Sequence, residues 1–419
     1  MPEIKDEIAD PVKYVPWAHV EDGHHKADDQ RHDDQFDDGA ARTVAENPAH
    51  LVGHAVFSSM VYVVRDRSAV RLPQAARSRP AIELVFFCGF GQKRASSCAS
   101  KPMTPIQFSS GDVIADRRAD YARMLLEAGD AAAAADLMAQ ALDLAPVWAA
   151  GWFQLGEFYE KAEMTEDAVE AYRRAADLDE PGIFGAPLKL ALLGAAPTPE
   201  SPPSAYVEGL FDDYADRFEA SLIEKLNYSV PQKLFRLVGP HAPFTLTVDL
   251  GCGTGLFGLE VAPASGCLEG FDLSANMLSK AGEKGIYHHL GQADLSEPGE
   301  GSGLFSADLK KHRADLVSAA DVMMYLGSLD TPFSLARDLL KPNGLFAFSV
   351  EDAATLENGG DAEPGFCLQP SLRYAHQEAY VRDRLAEAGF EVLDLMKTDI
   401  RMDAGKTVFG ILFLARLCV

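Results

Sequence analysis

Apolar and polar positions fall into three regimes along the chain. From 111 to 195 apolar residues recur at three- and four-residue steps, the period of helices buried on one face. From Thr245 onward short apolar, β-branched runs alternate with amphipathic helical stretches. Before Met103 neither period holds. The C-terminal regime predicts strands at 245–250, 267–272, 286–290, 314–319, 344–350, 390–397 and 407–415. Alternation of strand and helix implies a parallel sheet covered on both faces. The last two strands are separated only by the polar run Arg401-Met402-Asp403-Ala404-Gly405-Lys406, which reads as a hairpin and makes the final strand antiparallel.

The helical regime repeats with a period of 34 residues. Ala122 matches Gly156, Ala134 matches Ala168, Met138 matches Tyr172 and Ala141 matches Ala175. The second copy carries Trp152-x-x-Leu155-Gly156-x-x-Tyr159, and Pro146 closes the first. This pattern resembles the tetratricopeptide repeat (TPR), with small residues where paired helices approach and large ones in the seam. Two repeats are expected, around 115–148 and 149–182, followed by a capping helix over Pro187–Leu193. The resemblance implies either a concave groove that holds a peptide or a buttress for the next domain. The stretch 196–204 is proline-rich and predicts a linker. Leu210, Phe211, Tyr214 and Phe218 then recur at helical spacing on one apolar face, and a further helix ends near Val238.

The first strand of the C-terminal regime ends in Asp249, and Gly251, Gly253 and Gly255 alternate behind it. Glycines there let the backbone approach a ligand, since no Cβ intervenes. The dinucleotide fingerprint G-x-G-x-x-G is not met, because Leu256 stands where its third glycine belongs. Ligands of open α/β sheets bind beyond the carboxyl ends of the strands, near the switch in strand order. Strand ends are therefore where chemistry is expected. Asp272 follows the second strand, 23 positions after Asp249, and is placed to accept hydrogen bonds from ribose hydroxyls. Ser274 caps a helix carrying Met277 and Leu278. Gln292-Ala293-Asp294-Leu295 follows the third strand and Asp321 the fourth.

The form D-x-G-x-G-x-G resembles motif I of class I S-adenosylmethionine (SAM) methyltransferases. Asp321-Val322-x-x-Tyr325-Leu326-Gly327 and Ser371-x-Arg373-Tyr374-Ala375-His376 look like bacterial TPR-containing SAM-dependent methyltransferases, a likeness covering about 105–419. Leu372 stands where the family form has glycine. The resemblance implies an α/β, Rossmann-like sheet of seven strands in the order 3-2-1-4-5-7-6 with an antiparallel last strand, preceded by an all-α TPR domain. It implies a cofactor site made of Asp249, Gly251, Cys252, Gly253, Gly255, Asp272, Leu273, Met277, Asp294, Leu295 and Asp321. Asp294 would bond the adenine amino group and Leu295 pack on the ring. Tyr214 and Arg217 would belong to a sheltering lid. His376, titrating near neutrality in a loop after the fifth strand, is the candidate general base, with a capping or structural histidine as the plainer reading. Tyr325 and Arg373 are candidates to orient the acceptor. His288 and His289 read as structural.

Composition changes this picture little. The 419 residues allow two or three domains, and 47% hydrophobic residues are ample for packed cores. A net charge of −25 repels nucleic-acid backbones and anionic membranes, so neither is an expected partner. The six cysteines are scattered, with no C-x-x-C pair, which fits a reducing cytoplasm. No apolar run reaches the roughly 18 to 20 residues of a membrane span. Residues 1–102 read as an extension rather than a domain, and we expect the native chain to start at or near Met103. The His- and Asp-rich tract from His24 to Asp38 reads as a metal-binding run or, more plainly, a solvated tail. The domain division expected is thus 1–102, 103–195, a linker at 196–204, and 205–419.

The function expected is methyl transfer from SAM, with the TPR helices docking a protein or carrier-bound substrate. The alternatives are a small-molecule O- or N-methyltransferase whose TPR helices only cover the pocket, and a non-catalytic SAM-binding protein. An NAD-dependent oxidoreductase is disfavoured by Leu256.

Overall fold

A computed structural model describes residues 108–215, 228–356, 363–403 and 405–418, without the side chains of Asp213 and Tyr214. The His- and Asp-rich tract, the rest of the N-terminal extension and Arg217 lie outside the described residues. Five helices come first: α1 (Val113–Glu127), α2 (Ala131–Leu142), α3 (Ala149–Lys161), α4 (Thr165–Leu178) and α5 (Ala186–Leu192). Aspartates open the first two by satisfying free N–H groups. The carboxylate of Asp112 accepts from the N–H groups of Ile114 and Ala115, and that of Asp130 from Ala133. Small side chains then set how closely the helices approach. Ala115, Ala119 and Ala122 bury against Ala134, Met138 and Ala141. Any Cβ at Gly156 would stand 2.6 Å from the ring of Tyr172 on α4.

Residues 196–204 are fastened to the sheet rather than free. The carbonyl of Glu200 accepts from the N–H groups of Gly327 and Ser328, both at 2.8 Å. The Tyr374 hydroxyl donates to the Pro199 carbonyl at 2.9 Å. Leu188 of α5 packs with Tyr206, Phe366, Leu372 and Tyr374. All the described residues belong to one compact unit.

The sheet comprises β1 (Phe244–Leu250), β2 (Ser265–Asp272), β3 (His289–Gln292), β4 (Ala314–Ala319), β5 (Leu340–Asp352), β6 (Phe366–Leu368), β7 (Tyr374–His376), β8 (Phe390–Asp403) and β9 (Lys406–Leu417). Strands β3, β2, β1, β4 and β5 run parallel, in that order. Antiparallel β9 follows on β5, and β8 lies outside it. The strands differ from expectation at several points. The hairpin of β6 and β7 extends the edge of β5 beyond β9, with Glu351 and Asp352 opposite Ala375 and His376. The third strand starts at His289 rather than 286, because Tyr287 turns beneath the glycine loop. Its ring fills space that a Cβ at Gly270 would take, at 2.7 Å.

Helices α6 (Ser204–Tyr214), α7 (Val230–Val238), α8 (Leu256–Val261), α9 (Ala275–Glu283), α10 (Asp330–Leu339) and α11 (Glu378–Glu387) complete the described α-helices. One core lies around Phe333, Phe346, Phe348 and Phe413. Another joins Leu234 and Val238 of α7 to Phe257, Leu316 and Leu412. The near-continuous burial of β1, β4 and β5 is that of strands covered on both faces.

Candidate active site

The carboxyl ends of β1, β2 and β4 open into a cavity of about 360 Å³. Order switches between β1 and β4, which is where open α/β sheets leave a crevice. The turn after β1 makes the near wall. Gly251 and Gly253 hold φ of +59° and +55°, a region costly for any side chain bearing a Cβ. At Gly251 a Cβ would also stand 2.5 Å from Val322. Both facts explain glycine there. Thr254 is 2% exposed, lines the cavity, and its hydroxyl has no protein partner among the described residues. A buried hydroxyl without a partner is costly, so this one is placed for a ligand.

Three acids stand around that turn. Asp249 accepts from Ser318 at 2.7 Å and from the Tyr287 hydroxyl at 2.8 Å. Desolvation pushes its pKa up to about 6 against those two bonds. Asp272 accepts from the N–H of Gly253 at 2.8 Å and of Ser274 at 2.9 Å. Burial pushes it, too, up to about 6. Asp294 accepts from Ser296 through its N–H and hydroxyl, and from the Ser204 hydroxyl at 2.5 Å. Asp294 Oδ1 accepts twice, so the lone pairs left for a ligand are on the oxygens of Asp249 and Asp272 and on Asp294 Oδ2.

Helix α6 covers this end of the cavity with Ser204, Val207, Leu210 and Phe211. Asp212 fastens it to α9, accepting from the Ser274 hydroxyl at 2.5 Å, while the Asp212 carbonyl accepts from the Asn276 amide at 3.1 Å.

The opposite end holds a chain of ion pairs. Arg401 donates to both oxygens of Asp321 at 3.0 Å and to Glu351. Arg373 donates to Glu351 at 3.1 Å and to Asp403. Burial works against the Arg401 charge, but Asp321 and Glu351 outweigh it and raise its pKa. Burial raises the Asp321 pKa, opposed by Arg401. Asp321 sits at φ +62°, and its N–H donates to Ser349 at 2.8 Å. Tyr228 and Tyr325 complete this end, and desolvation raises both phenols above their usual range. Phe211 meets the Tyr325 ring edge-on at 5.1 Å.

Of the residues singled out in the sequence, Asp249, Gly251, Cys252, Gly253, Asp272, Leu273, Asp294, Leu295, Asp321, Tyr325 and Arg373 line this cavity. Gly255 and Met277 do not. Gly255 starts α8 at φ +91°, and Met277 is buried behind the cap made by Ser274. Tyr214 closes α6, and its side chain lies outside the description.

His376 requires a correction. It is fully buried on β7, not in a loop, and lies outside the cavity wall. Its Nε2 faces the Gly327 carbonyl at 3.0 Å, and its ring stacks near Tyr380. Burial pushes its pKa down to about 4 against that bond. It holds the β6–β7 hairpin against the loop after β4 and does not line the cavity.

The sequence reading missed Arg401, Glu351, Tyr228, Tyr287 and Ser204. Arg401 was placed in a hairpin connection, yet β8 runs through it to Asp403. A register shift between Asp399 and Arg401 turns consecutive Ile400 and Arg401 both inward. Two adjacent inward residues break the period of two, so alternation gave no signal.

No curated protein matches the chain. Similar solved structures include the N-methyltransferase NodS from Bradyrhizobium japonicum WM9 in complex with S-adenosyl-L-homocysteine (SAH), at 20% identity over 45% of this chain and 85% of that chain, TM-score 0.34. A SAM-dependent methyltransferase from Clostridium acetobutylicum matches at 19% identity over 50% and 100%, TM-score 0.37. Magnesium protoporphyrin IX methyltransferase from Synechocystis PCC 6803, with bound SAH, matches at 19% over 50% and 86%, TM-score 0.33. Residues 222–395, which carry the glycine turn and all of the strand-end acids, match the family of methyltransferase domains.

Proposed function

We propose that the chain is a SAM-dependent methyltransferase. The observation that carries this reading is one cavity that joins the Gly251–Gly253 turn, the partnerless Thr254 hydroxyl and the acids Asp272 and Asp294. In this reading Asp272 accepts from the ribose hydroxyls, Asp294 and Leu295 take the adenine, and Gly251, Cys252 and Gly253 border the donor's amino-acid end. Helix α6, with Tyr214 and the following Arg217, forms the lid. Bound SAM supplies an activated methyl group on a sulfonium. The chain's own residues align the acceptor with it and exclude water. Tyr325 and Arg373 orient the acceptor, and His376 acts as a positioning residue through Gly327.

Helices α1–α4 are read as two TPR units. Docking of a protein or carrier-bound substrate rests on that resemblance. The buttress reading has an observation of its own, since Leu188 of α5 packs against Phe366 and Tyr374 of the β6–β7 hairpin.

Titration calorimetry with SAM, SAH and NADH tests the donor site. SAM and SAH are expected to bind and NADH not to, and tight NADH binding without SAM binding would overturn the reading. Affinity for SAH should fall as pH drops through about 6, where buried Asp272 gains its proton and can no longer accept from both ribose hydroxyls.

A further inference from the structure

We propose that the methyl acceptor is a carboxylate, seated by Arg373 and the phenols of Tyr228 and Tyr325 and methylated on oxygen to a methyl ester. The proposal rests on the donor reading above and names the substrate class for the same cavity. Its first support is a surplus of hydrogen-bond donors at the end away from the glycine turn. Arg373 spends Nε on Glu351 and one terminal nitrogen on Asp403, while Nη1 has no protein partner among the described residues. The hydroxyls of Tyr228 and Tyr325 likewise have none, and all three residues line the cavity. A planar guanidinium edge with neutral phenols beside it suits a carboxylate. Arg373 is already held on its other edge, so little order is lost when a ligand arrives.

The second support is what the described walls lack in reactive bases. An amine or hydroxyl acceptor must shed a proton. Asp321 is tied through both oxygens to Arg401. In the donor reading Asp272 and Asp294 are taken by the donor, and Asp249 is bonded by Ser318 and Tyr287 behind the glycine turn. His376 lies outside the cavity. A carboxylate needs no base. One oxygen lone pair forms the new O–CH3 bond as the S–CH3 bond breaks, and that electron pair leaves with sulfur. Carboxylate and sulfonium become ester and thioether, with no proton to place. Loss of both charges is favoured in a cavity walled by Val207, Leu210 and Phe211.

The test uses the full chain saturated with SAH and two ligands of one shape and opposite charge, benzoate and benzylamine, in ligand-observed NMR titrations. Benzoate is expected to bind and benzylamine not to. Arg373→Leu should weaken benzoate about tenfold or more and Tyr325→Phe several-fold, with SAH affinity retained. Tyr325→Phe keeps the ring packed on Phe211, so it stays informative should Arg373→Leu fail to fold. Benzylamine binding as well as or better than benzoate, binding of neither, or benzoate affinity indifferent to both substitutions would each overturn the proposal. Failure of SAH itself to bind would remove the donor reading and this proposal with it. In a metabolite extract methylated by the protein from methyl-labelled SAM, the label should leave as volatile methanol under mild alkali. Alkali-stable label would identify an amine or ether product and overturn the ester.

Discussion

His376 shows how burial decides what a titratable side chain does. An imidazole in water titrates near pH 6.5, but here it is wholly enclosed and its pKa falls to about 4. The folded state therefore binds fewer protons than the unfolded one between those values. Stability linked to this group is full above about pH 6.5 and is lost as pH falls toward 4. Asp249 and Asp272 act in the opposite sense. Their folded pKa values are raised to about 6, so the folded state gains protons, and stability, as pH falls from there toward the unfolded value of 3.8. The histidine's share is isolated by comparison with His376→Gln. The melting-temperature gap between wild type and variant should narrow between pH 6.5 and 4. A gap that stays flat across that range would mean the ring is not held neutral. Nothing near His376 in sequence shows that Phe366 and Tyr380 close over it.

At the scale of elements, α6 matters most. Its apolar face was legible as a period of three and four, because that face is a property of one helix. Its polar fastenings were not, since the Ser204 hydroxyl reaches Asp294 across 90 positions and the Asp212 carboxylate reaches Ser274 across 62. These bonds hold α6 over the acids that the donor would use in the proposed reading. A single hydrogen bond of this kind contributes about 1 kcal/mol, a several-fold effect on a rate. Ser204→Ala and Asp212→Ala should each speed SAH dissociation several-fold in stopped-flow measurements. An unchanged off-rate in both would mean that α6 does not gate the cavity. The strand β8 shows the same limit from another side. Its existence followed from an apolar run, but the register shift that sends Arg401 inward depends on pairing with β9.

For the whole molecule, every described residue lining the cavity lies at Pro202 or beyond. Among the described residues the helical region reaches the sheet through α5 and the proline-rich stretch, of which only the end, Pro202 and Ser204, borders the cavity. A chain beginning at Met103 is therefore expected to bind SAH as the full chain does, and a marked loss of affinity on removing 1–102 would refute this. No helix among the described residues is long and apolar enough to cross a membrane.

The alternation of strands and helices, the antiparallel final hairpin, the glycine turn and the strand-end acids were all determined by sequence alone. Each is local: periodicity reports which face is buried, and a positive φ favours glycine at the position itself. Tertiary structure decided the rest. It alone brings Arg401 of β8, Glu351 of β5 and Arg373 beside β7 into one network, with Glu351 and Arg401 separated by 50 positions. It alone slides Tyr287 under Gly270 and encloses His376. Pairing across distant strands sets which side chains share a cavity, and no local pattern carries that information. The glycine turn and its acids could thus be read along the chain, whereas the network of Arg373, Glu351 and Arg401 exists only once the sheet has closed.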